Sequence, residues 1–310
     1  MTRYLVTGGA GFIGSHIVRA LLERGAEVRV LDNFSTGKRE NLDGLTGRLE
    51  VLEGDLRDGS RVTEAVRGVE VVFHEAAFVS APQSMEEPAA CFDVNVTGTA
   101  LLFEAARRAG VRRVVVASSA AVYGDSDALP LVEETSLRPL SPYAASKRVD
   151  EIYAQLYTGS FGLDVAALRY FNVYGPRQRP DSMYAAAVPI FIRRLLDGKP
   201  ITIFGDGGQT RDLIAVRDVV RANLIAAEHP AAPGQVFNIC TGRETRIMDL
   251  VEVLQELFPS ASAPVFAEPR PGDIYLSLGS PQKAVDLLGF RAETPLMDGL
   301  WETVEWMRRN

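Results

Sequence analysis

The fold of this chain is indicated by a stretch near its start, residues 3–14, RYLVTGGAGFIG. A short apolar strand runs into Gly8, Gly11 and Gly14, and a helical pattern follows at once. A tight strand-to-helix turn needs a residue that tolerates positive φ, and a missing Cβ lets the backbone approach a pyrophosphate. Free N–H groups and the dipole at the helix start favour an anion. The stretch predicts a dinucleotide-binding turn rather than a tight turn without a ligand.

An acidic residue after the second strand supports this interpretation. Strand 27–31 finishes at Asp32, 18 residues beyond Gly14. A carboxylate there accepts hydrogen bonds from the adenosine ribose and repels a 2′-phosphate, so it selects NAD over NADP. We therefore predict that NAD is the cofactor.

Strands and helices continue to alternate through the first half of the chain. The pattern predicts strands at 3–7, 27–31, 49–52, 69–74, 112–117 and 163–169, and helices at 58–67, 88–109 and 142–160. Such alternation gives right-handed crossovers and a doubly wound parallel sheet of the Rossmann type, in the α/β class. Ligands gather outside the carboxyl ends of the strands in such a sheet. The residues at those ends include Asp32, Asp55, Ala76, Ser119 and Asn172.

The pattern changes after residue 175. Segment 176–215 is richer in Pro, Gly, Arg and aromatic residues, and its elements are shorter. The predicted elements from here on are helices at 184–197, 216–229, 246–258, 281–288 and 296–308, and strands at 200–204, 235–239 and 264–267. We predict an NAD-binding Rossmann domain over 1–175, which also receives 216–240, and a smaller C-terminal α/β substrate lobe over 176–310.

A second stretch that carries chemistry lies between residues 114 and 147. An apolar strand ends in Ser118 and Ser119. A helix is predicted to begin just before Tyr143, with Ser141 as its N-cap and Pro142 as its first residue. Tyr143 and Lys147 are four residues apart, so they lie on one face of that helix. An ammonium beside a phenol favours the phenolate, and a Tyr, a Lys and a Ser that converge form a proton-transfer group. An ordinary amphipathic helix with an exposed lysine is equally compatible with these residues.

Composition excludes several other classes of function. The formal net charge of -7 argues against a general nucleic-acid-binding protein. Cys91 and Cys240 are far apart, and the three histidines lack ligand spacing, so we expect neither disulfides nor a metal site. His74 ends an apolar strand, and we interpret it as a packed core residue. No apolar run approaches the roughly 20 residues of a membrane helix, and the start carries no leader, so we predict a cytoplasmic protein.

Further motifs extend nearly the whole length of the chain. They are Gly8-x-x-Gly11-x-x-Gly14, Asp32, Asp55-Leu56, Ala76-Ala77, Asn95-Val96-x-Gly98-Thr99, Ser118-Ser119, Tyr143-x-x-x-Lys147, the run from Arg169 to Pro176, Gly205-Asp206-x-x-x-x-Arg211-Asp212 and Arg270-Pro271-Gly272-Asp273. In this order they resemble the extended short-chain dehydrogenase/reductase family. The resemblance is nearest to its nucleotide-sugar branch, the UDP-glucose and UDP-N-acetylglucosamine 4-epimerases.

The resemblance implies a role for each motif residue. Tyr143 is the acid/base toward the sugar 4-hydroxyl, Ser119 shares a hydrogen bond with that oxygen, and Lys147 holds the nicotinamide ribose and favours the phenolate. The implied cofactor-binding residues are Gly8, Gly11, Phe12, Ile13, Gly14, Asp32, Asn33, Asp55, Leu56, Ala76, Ala77, Asn95, Ser118, Tyr143, Lys147, Tyr170 and Val173. The implied substrate-binding residues are Ser80, Ser119, Asn172, Arg211, Arg270, Asp273 and Ser277. Of these, Arg211 and Arg270 are expected to clamp the diphosphate, which suits guanidinium geometry.

The residues after Ser119 favour one reaction within this branch. Related 4,6-dehydratases place an Asp-Glu pair directly after the catalytic hydroxyl, and UDP-glucuronate decarboxylases generally carry a Glu there. Ala120 and Ala121 occupy these positions here and can do no acid-base chemistry. The resemblance therefore implies a UDP-sugar 4-epimerase, which forms a transient 4-keto sugar and returns the hydride to the opposite face.

The choice of sugar and the assembly rest on the resemblance alone. Ser277 stands seven residues after Arg270, where epimerases restricted to glucose and galactose often carry a bulky Tyr. We expect UDP-GlcNAc and UDP-GalNAc to be accepted as well as UDP-Glc and UDP-Gal. A UDP-glucuronate 4-epimerase, another NAD-dependent nucleotide-sugar modifier (dehydratase or decarboxylase) and a non-catalytic NAD-binding regulator stay open. Helices 88–109 and 142–160 are expected to pair across a two-fold into a four-helix bundle, as a homodimer without nucleic-acid or membrane partners.

Overall fold

A computed structural model of the chain describes residues 2–180, 186–269 and 274–310. Its strands are β1 (Arg3–Thr7), β2 (Glu27–Asp32), β3 (Arg48–Glu53), β4 (Val71–His74), β5 (Arg113–Ser119), β6 (Asp164–Tyr170), β7 (Asn172–Tyr174), β8 (Thr202–Phe204), β9 (Thr210–Arg211), β10 (Leu213–Ala215), β11 (Val236–Ile239), β12 (Thr245–Arg246) and β13 (Val265–Ala267). Its helices are α1 (Phe12–Glu23), α2 (Gly59–Val66), α3 (Ala81–Glu86), α4 (Pro88–Phe92), α5 (Gly98–Ala109), α6 (Pro142–Phe161), α7 (Ala187–Leu196), α8 (Val216–Glu228), α9 (Ile247–Leu257), α10 (Gln282–Leu288) and α11 (Leu296–Arg309).

Seven of these strands form one parallel sheet in the order β11-β6-β5-β4-β1-β2-β3. The chain runs outward from β1 to β3 and then returns to β4, so the strand order reverses between β1 and β4. This confirms the predicted doubly wound sheet. The point of reversal is where such a sheet opens a crevice for a ligand.

Both faces of the sheet are covered by helices, as a parallel sheet requires. Neighbouring residues of one strand enter different cores: Val6 and Val115 pack toward α1, α8 and α10, whereas Leu5 and Val114 pack toward α2, α5 and α6. These strands therefore appear in the sequence as continuous apolar runs instead of alternating patterns.

The predicted helix at 88–109 contains a feature that the periodicity did not reveal. Between α4 and α5 the turn at Asp93–Thr97 is a π-helical turn, in which one extra residue widens the helix. Asn95 lies in this turn and is buried.

The rest of the chain forms smaller units. Within the described residues, β10 pairs with β7, β12 with β9 and β13 with β8, and α7, α9 and α11 share a separate apolar core. The helix predicted at 184–197 is observed as Ala187–Leu196, and residues 181–185 lie outside the described part. β11 joins the large sheet beside β6. The division into two domains at residue 175 stays a prediction.

In the part of the chain that the structure describes, no helix combines the length and apolar character needed to cross a bilayer.

Candidate active site

A cavity of about 1260 Å³ opens at the carboxyl ends of the sheet strands and extends toward α7, β8 and α9. The predicted site residues that line it are Gly8, Gly11, Phe12, Ile13, Gly14, Asp32, Asn33, Asp55, Leu56, Ala76, Ala77, Ser80, Ser118, Ser119, Tyr143, Tyr170, Asn172, Val173 and Arg211. Asn95, Lys147 and Ser277 are not among its described lining residues. Arg270 and Asp273 lie outside the described residues.

The glycine turn leaves no room for side chains. Gly8 has a φ of +67°, and a Cβ added to it would lie 2.7 Å from the Ala76 backbone nitrogen. A Cβ on Gly14 would lie 2.2 Å from the Gly8 carbonyl oxygen. Gly11 occupies the N-cap of α1, so the first N–H groups of that helix are available to an anion. The turn therefore fits a pyrophosphate.

Two carboxylates, those of Asp32 and Asp55, line the same cavity as this turn. The Asp32 carboxylate accepts hydrogen bonds from the Ala10 nitrogen at 2.9 Å and the Phe34 nitrogen at 2.8 Å. Burial raises the pKa of Asp32, although both backbone N–H groups act against this. The Arg57 guanidinium holds the pKa of Asp55 well below its ordinary range. Because Asp32 lines the cavity with its oxygens held in place, it fits a ribose with free hydroxyls and not a 2′-phosphate.

Helix α6 begins as the sequence indicated, with Ser141 as N-cap accepting a hydrogen bond from the Ala144 nitrogen at 3.1 Å. Tyr143 lines the cavity, and its backbone nitrogen donates to Ser84 Oγ. Ser119 also lines the cavity, and its Oγ accepts a hydrogen bond from the Ala121 nitrogen at the start of a 3₁₀ turn. The structure thus brings Tyr143 and Ser119 to one cavity.

Lys147 is buried in the interior, one helical turn after Tyr143. Its side chain is 3% exposed, and Nζ lies 3.3 Å from Asp150 Oδ2, which is also buried. Burial opposes the ammonium charge, but its interactions with Asp150 and with the ionised forms of Tyr143 and Glu75 outweigh this and raise the pKa of Lys147. The alternative of an exposed surface lysine is therefore wrong, and Lys147 is a buried cation that acts electrostatically on Tyr143.

A buried ion pair fixes α6 to the sheet. Arg169 donates to both carboxylate oxygens of Glu151, from Nε at 2.7 Å and from a terminal nitrogen at 2.9 Å. Ser118 Oγ donates to the same carboxylate at 2.6 Å. Glu151 stands two helical turns after Tyr143 on α6, so this contact sets the position of the tyrosine relative to β5 and β6.

Asn95 serves a similar structural purpose. Its Oδ1 accepts from the Phe78 nitrogen at 2.7 Å, and its Nδ2 donates to the Phe78 carbonyl and to Ser146 Oγ at 2.8 Å. The amide therefore joins the loop after β4 to α6. Direct contact of Asn95 with the cofactor stays a prediction.

His74 is packed in the core, as predicted. Its two ring nitrogens lie within hydrogen-bond distance of Thr7 Oγ1, at 2.7 Å, and Thr99 Oγ1, at 2.9 Å. Burial lowers the pKa of His74 to about 3, so the ring is neutral. No group of three potential metal-ligating side chains occurs among the described residues.

Of the residues predicted to bind the substrate, Asn172 and Arg211 line the cavity away from the glycine turn, near α7, β8 and α9. Asn172 begins β7, and Arg211 donates to the carbonyl oxygens of Thr210 and Ile274, each at 2.7 Å. Ser277 is held through its backbone nitrogen, which donates to Thr210 Oγ1.

Sequence reasoning missed several cavity residues. They include Glu75, Gln83, Arg177, Gln178, Arg194, Phe204 and Gln209. A signal was available for Glu75, which directly precedes Ala76 at the carboxyl end of a strand. Arg177, Gln178 and Gln209 lie in irregular segments, where periodicity carries no information. Gln83, Arg194 and Phe204 lie on α3, α7 and β8, away from the strand ends of the large sheet at which the sequence predicted the site.

Comparison with known proteins agrees with this geometry. The sequence model of the NAD dependent epimerase/dehydratase family matches residues 4–240. The chain is 41% identical over 310 residues to a UDP-glucose 4-epimerase of Mycolicibacterium smegmatis, covering 99% of this chain and 98% of that protein.

Solved structures show the same similarity. The UDP-glucose 4-epimerase of Thermus thermophilus in complex with NAD superimposes with a TM-score of 0.89 at 41% identity and covers 99% of each chain. The UDP-N-acetylglucosamine 4-epimerase of Methanobrevibacter ruminantium, in complex with UDP-N-acetylmuramic acid, gives 0.95 at 38% identity, covering 99% of this chain and 98% of that one.

Proposed function

The chain belongs to the NAD-dependent epimerase/dehydratase family, and we propose that within this family it acts as a UDP-sugar 4-epimerase. The observation that carries the proposal is the set of residues around Ser119 in the cavity. Tyr143 and Ser119 line the same cavity as the glycine turn and Asp32, while Ala120 and Ala121 supply no second acid.

The glycine turn, Asp32 and Asp55 would hold NAD, whose nicotinamide accepts and returns a hydride. In this arrangement the pyrophosphate lies at the N-terminus of α1. Asp32 accepts hydrogen bonds from the adenosine ribose. Lys147 keeps its positive charge in its buried position one helical turn from Tyr143, where it stabilises the Tyr143 phenolate.

In the proposed reaction Tyr143 takes the proton of the sugar 4-hydroxyl, and Ser119 holds that oxygen by a hydrogen bond. After the sugar has turned about its diphosphate, Tyr143 returns the proton. Arg211, and by resemblance Arg270, anchor the diphosphate that serves as the pivot. Dehydration needs an acid-base pair directly after Ser119, and neither alanine there can provide one.

The assay that tests the proposal presents UDP-Glc, UDP-GlcNAc, UDP-glucuronate and dTDP-Glc to the protein and resolves the products by chromatography. We expect 4-epimers without net cofactor consumption. Tyr143→Phe is expected to lower the rate by about 10²–10⁴-fold because it removes the proton-transfer group. Tyr153→Phe, on the same helix, is the matched control.

A 4-keto-6-deoxy product would contradict the proposal in favour of a dehydratase. If no sugar is converted by the wild type, the protein is the non-catalytic NAD-binding regulator instead.

We further propose that N-acetylated sugars are accepted, since the small Ser277 follows the Arg270 motif. Ser277→Tyr should then reduce turnover of UDP-GlcNAc more than that of UDP-Glc. Equal ratios in the two proteins would contradict this assignment.

A homodimer is the proposed assembly. The outer face of α4 and α6 carries large apolar side chains, of which Phe92 is 58% exposed, Ile152 46%, Leu156 44% and Phe161 50%. Residues 152 and 156 are one turn apart and share a face. Ile152→Asp combined with Leu156→Asp should yield a monomer in light scattering, whereas a monomeric wild type would contradict the proposal.

A further inference from the structure

The cavity contains a carboxyl group that the proposed proton transfer does not use. Glu75 directly follows β4 and lines the cavity. The Tyr170 hydroxyl donates to Glu75 Oε1 at 2.8 Å, and Asn223 Nδ2 donates to the same phenol oxygen at 2.7 Å. Glu75 is thus held in one position by residues from β6 and α8.

Its position is between the glycine turn and the proton-transfer group. The Glu75 nitrogen donates to the Thr7 carbonyl at 3.2 Å, and a Cβ added to Gly8 would lie 3.0 Å from the Glu75 carbonyl carbon. On the other side Glu75 and Lys147 interact electrostatically. In the proposed binding mode the nicotinamide end of the cofactor lies beside Lys147 and Tyr143, and therefore near Glu75.

The charge of Glu75 is not balanced within the described part of the protein. The nearest cation, Lys147, is already paired with Asp150 at 3.3 Å, and no ion pair of Glu75 occurs among the described residues. Burial raises the pKa of Glu75 to about 7, although the Tyr170 hydrogen bond and Lys147 act in the opposite direction. A positive charge placed in the cavity beside this carboxyl would therefore favour its ionised form.

We propose that Glu75 is a charge-selective cofactor-binding residue, which makes this pocket bind NAD⁺ in preference to NADH. The oxidised nicotinamide ring carries a positive charge that would pair with the carboxylate, whereas the reduced ring carries none. Glu75 thereby keeps the enzyme in the oxidised form from which each turnover starts. The inference rests on the proposed placement of the nicotinamide and not on the identity of the sugar.

The other titratable groups near Glu75 can be distinguished from it by their pKa values. His74 precedes it on β4 and is neutral, with a pKa lowered to about 3 by burial. Tyr170 has a pKa raised by burial and by Glu75, so it stays protonated. Asp150, across Lys147, has a pKa raised to about 6 by burial. Any pH dependence that survives in a Glu75 variant belongs to a group other than Glu75, of which Asp150 is the neighbour with a pKa in this range.

The test equilibrates the full-length protein with mixtures of NAD⁺ and NADH, then separates it from free cofactor and determines the bound ratio by chromatography. Samples start from NAD⁺-loaded and from NADH-loaded protein, and a common final ratio demonstrates equilibrium. Measurements are made at about pH 6 and about pH 9, on either side of the Glu75 pKa of about 7.

We expect the wild-type preference for NAD⁺ to rise about fivefold between these pH values, which corresponds to a Glu75 pKa about one unit lower in the NAD⁺ complex than in the NADH complex. Glu75→Gln, which keeps an acceptor for Tyr170, should lose this rise and show the lower preference at both values. Tyr170→Phe should move the midpoint of the rise to higher pH, because it removes a hydrogen bond to the carboxylate. Glu70→Gln, directly before the start of β4 and exposed, is the matched control and should behave as the wild type.

An equal bound ratio in Glu75→Gln and wild type at about pH 9 would overturn the proposal, and so would a stronger NAD⁺ preference in the variant. Ser119→Ala, at a residue assigned to the sugar and not to the cofactor, separates this outcome from failure of the proposed function. That variant should lose sugar turnover and keep the wild-type cofactor ratio.

Discussion

Replacing Glu151 by Gln is expected to destabilise the protein through one buried charge. Glu151 is 0% exposed and Arg169 is 2% exposed, and the two side chains share two hydrogen bonds. In Glu151→Gln the carboxylate is lost while the guanidinium stays buried. Its other partners, the Tyr123 hydroxyl and the Glu133 carbonyl, are neutral and do not compensate the charge.

The size of the effect follows from the burial of both partners. Removing one member of a buried pair costs about 3–5 kcal/mol because the remaining charge is uncompensated. For a chain of 310 residues that lowers the melting temperature by about 5–8 °C. Replacing both residues by apolar ones, Glu151→Leu with Arg169→Met, removes both charges and should cost less than either single replacement.

The assay is thermal unfolding at a fixed concentration of NAD, with Glu64→Gln as the matched control. Glu64 also pairs with an arginine on its own helix, Arg61 at 2.9 Å, but both side chains are about half exposed. An exposed pair of this kind contributes only about 0–1 kcal/mol. If Glu151→Gln and Glu64→Gln melt at the same temperature, the assignment of a buried charge pair is refuted. A double replacement that is less stable than both single ones would refute it equally.

Three further outcomes follow from the cofactor side of the cavity. Gly14→Ala should abolish NAD binding in equilibrium dialysis, because the added Cβ would lie 2.2 Å from the Gly8 carbonyl oxygen; unchanged affinity would contradict the proposed turn. Asp32→Asn should raise the affinity for NADP relative to NAD by about tenfold or more, since it removes a negative charge facing the 2′-phosphate, and an unchanged ratio of dissociation constants would contradict this. Glu75→Gln should stabilise the cofactor-free protein at alkaline pH: the folded-state pKa of about 7 lies above the ordinary 4.5, so wild-type stability falls as pH rises between these values, by about 3 kcal/mol in total. Urea midpoints of wild type and variant should therefore run parallel below about pH 4, diverge between about pH 4.5 and 7 and stay apart at higher pH; curves that are parallel throughout would contradict the raised pKa.

The large sheet could be predicted from sequence because its signals are local. The seven strands, the N-cap at Ser141 and the glycine turn each depend on residues that are neighbours in the chain. Asp32 was predicted as a cofactor-binding residue for the same reason. It stands at the end of a strand, and where strands and helices alternate the carboxyl ends of the strands form the edge of the sheet that binds the cofactor.

The electrostatics of the site could not be predicted in this way. Lys147 appeared compatible with an exposed position until the structure placed it against Asp150 in the interior. Glu75 and Tyr170 are 95 residues apart in sequence, and only the order of strands brings their side chains together. Such contacts depend on which strands are neighbours, and periodicity does not contain that information.

The π-helical turn at Asp93–Thr97 has a consequence for how this chain can change over evolutionary time. One extra residue shifts the helical phase of everything before it by about 100°. Cys91, now fully buried, and Phe92, now 58% exposed, owe their orientations to that shift. Loss of one residue from the turn would restore a regular helix but would rotate α4 and detach Asn95 from Phe78 and Ser146. A substitution within the turn can therefore occur alone. A deletion there would require simultaneous compensating changes on several elements, so the extra residue of the π-helical turn is effectively retained.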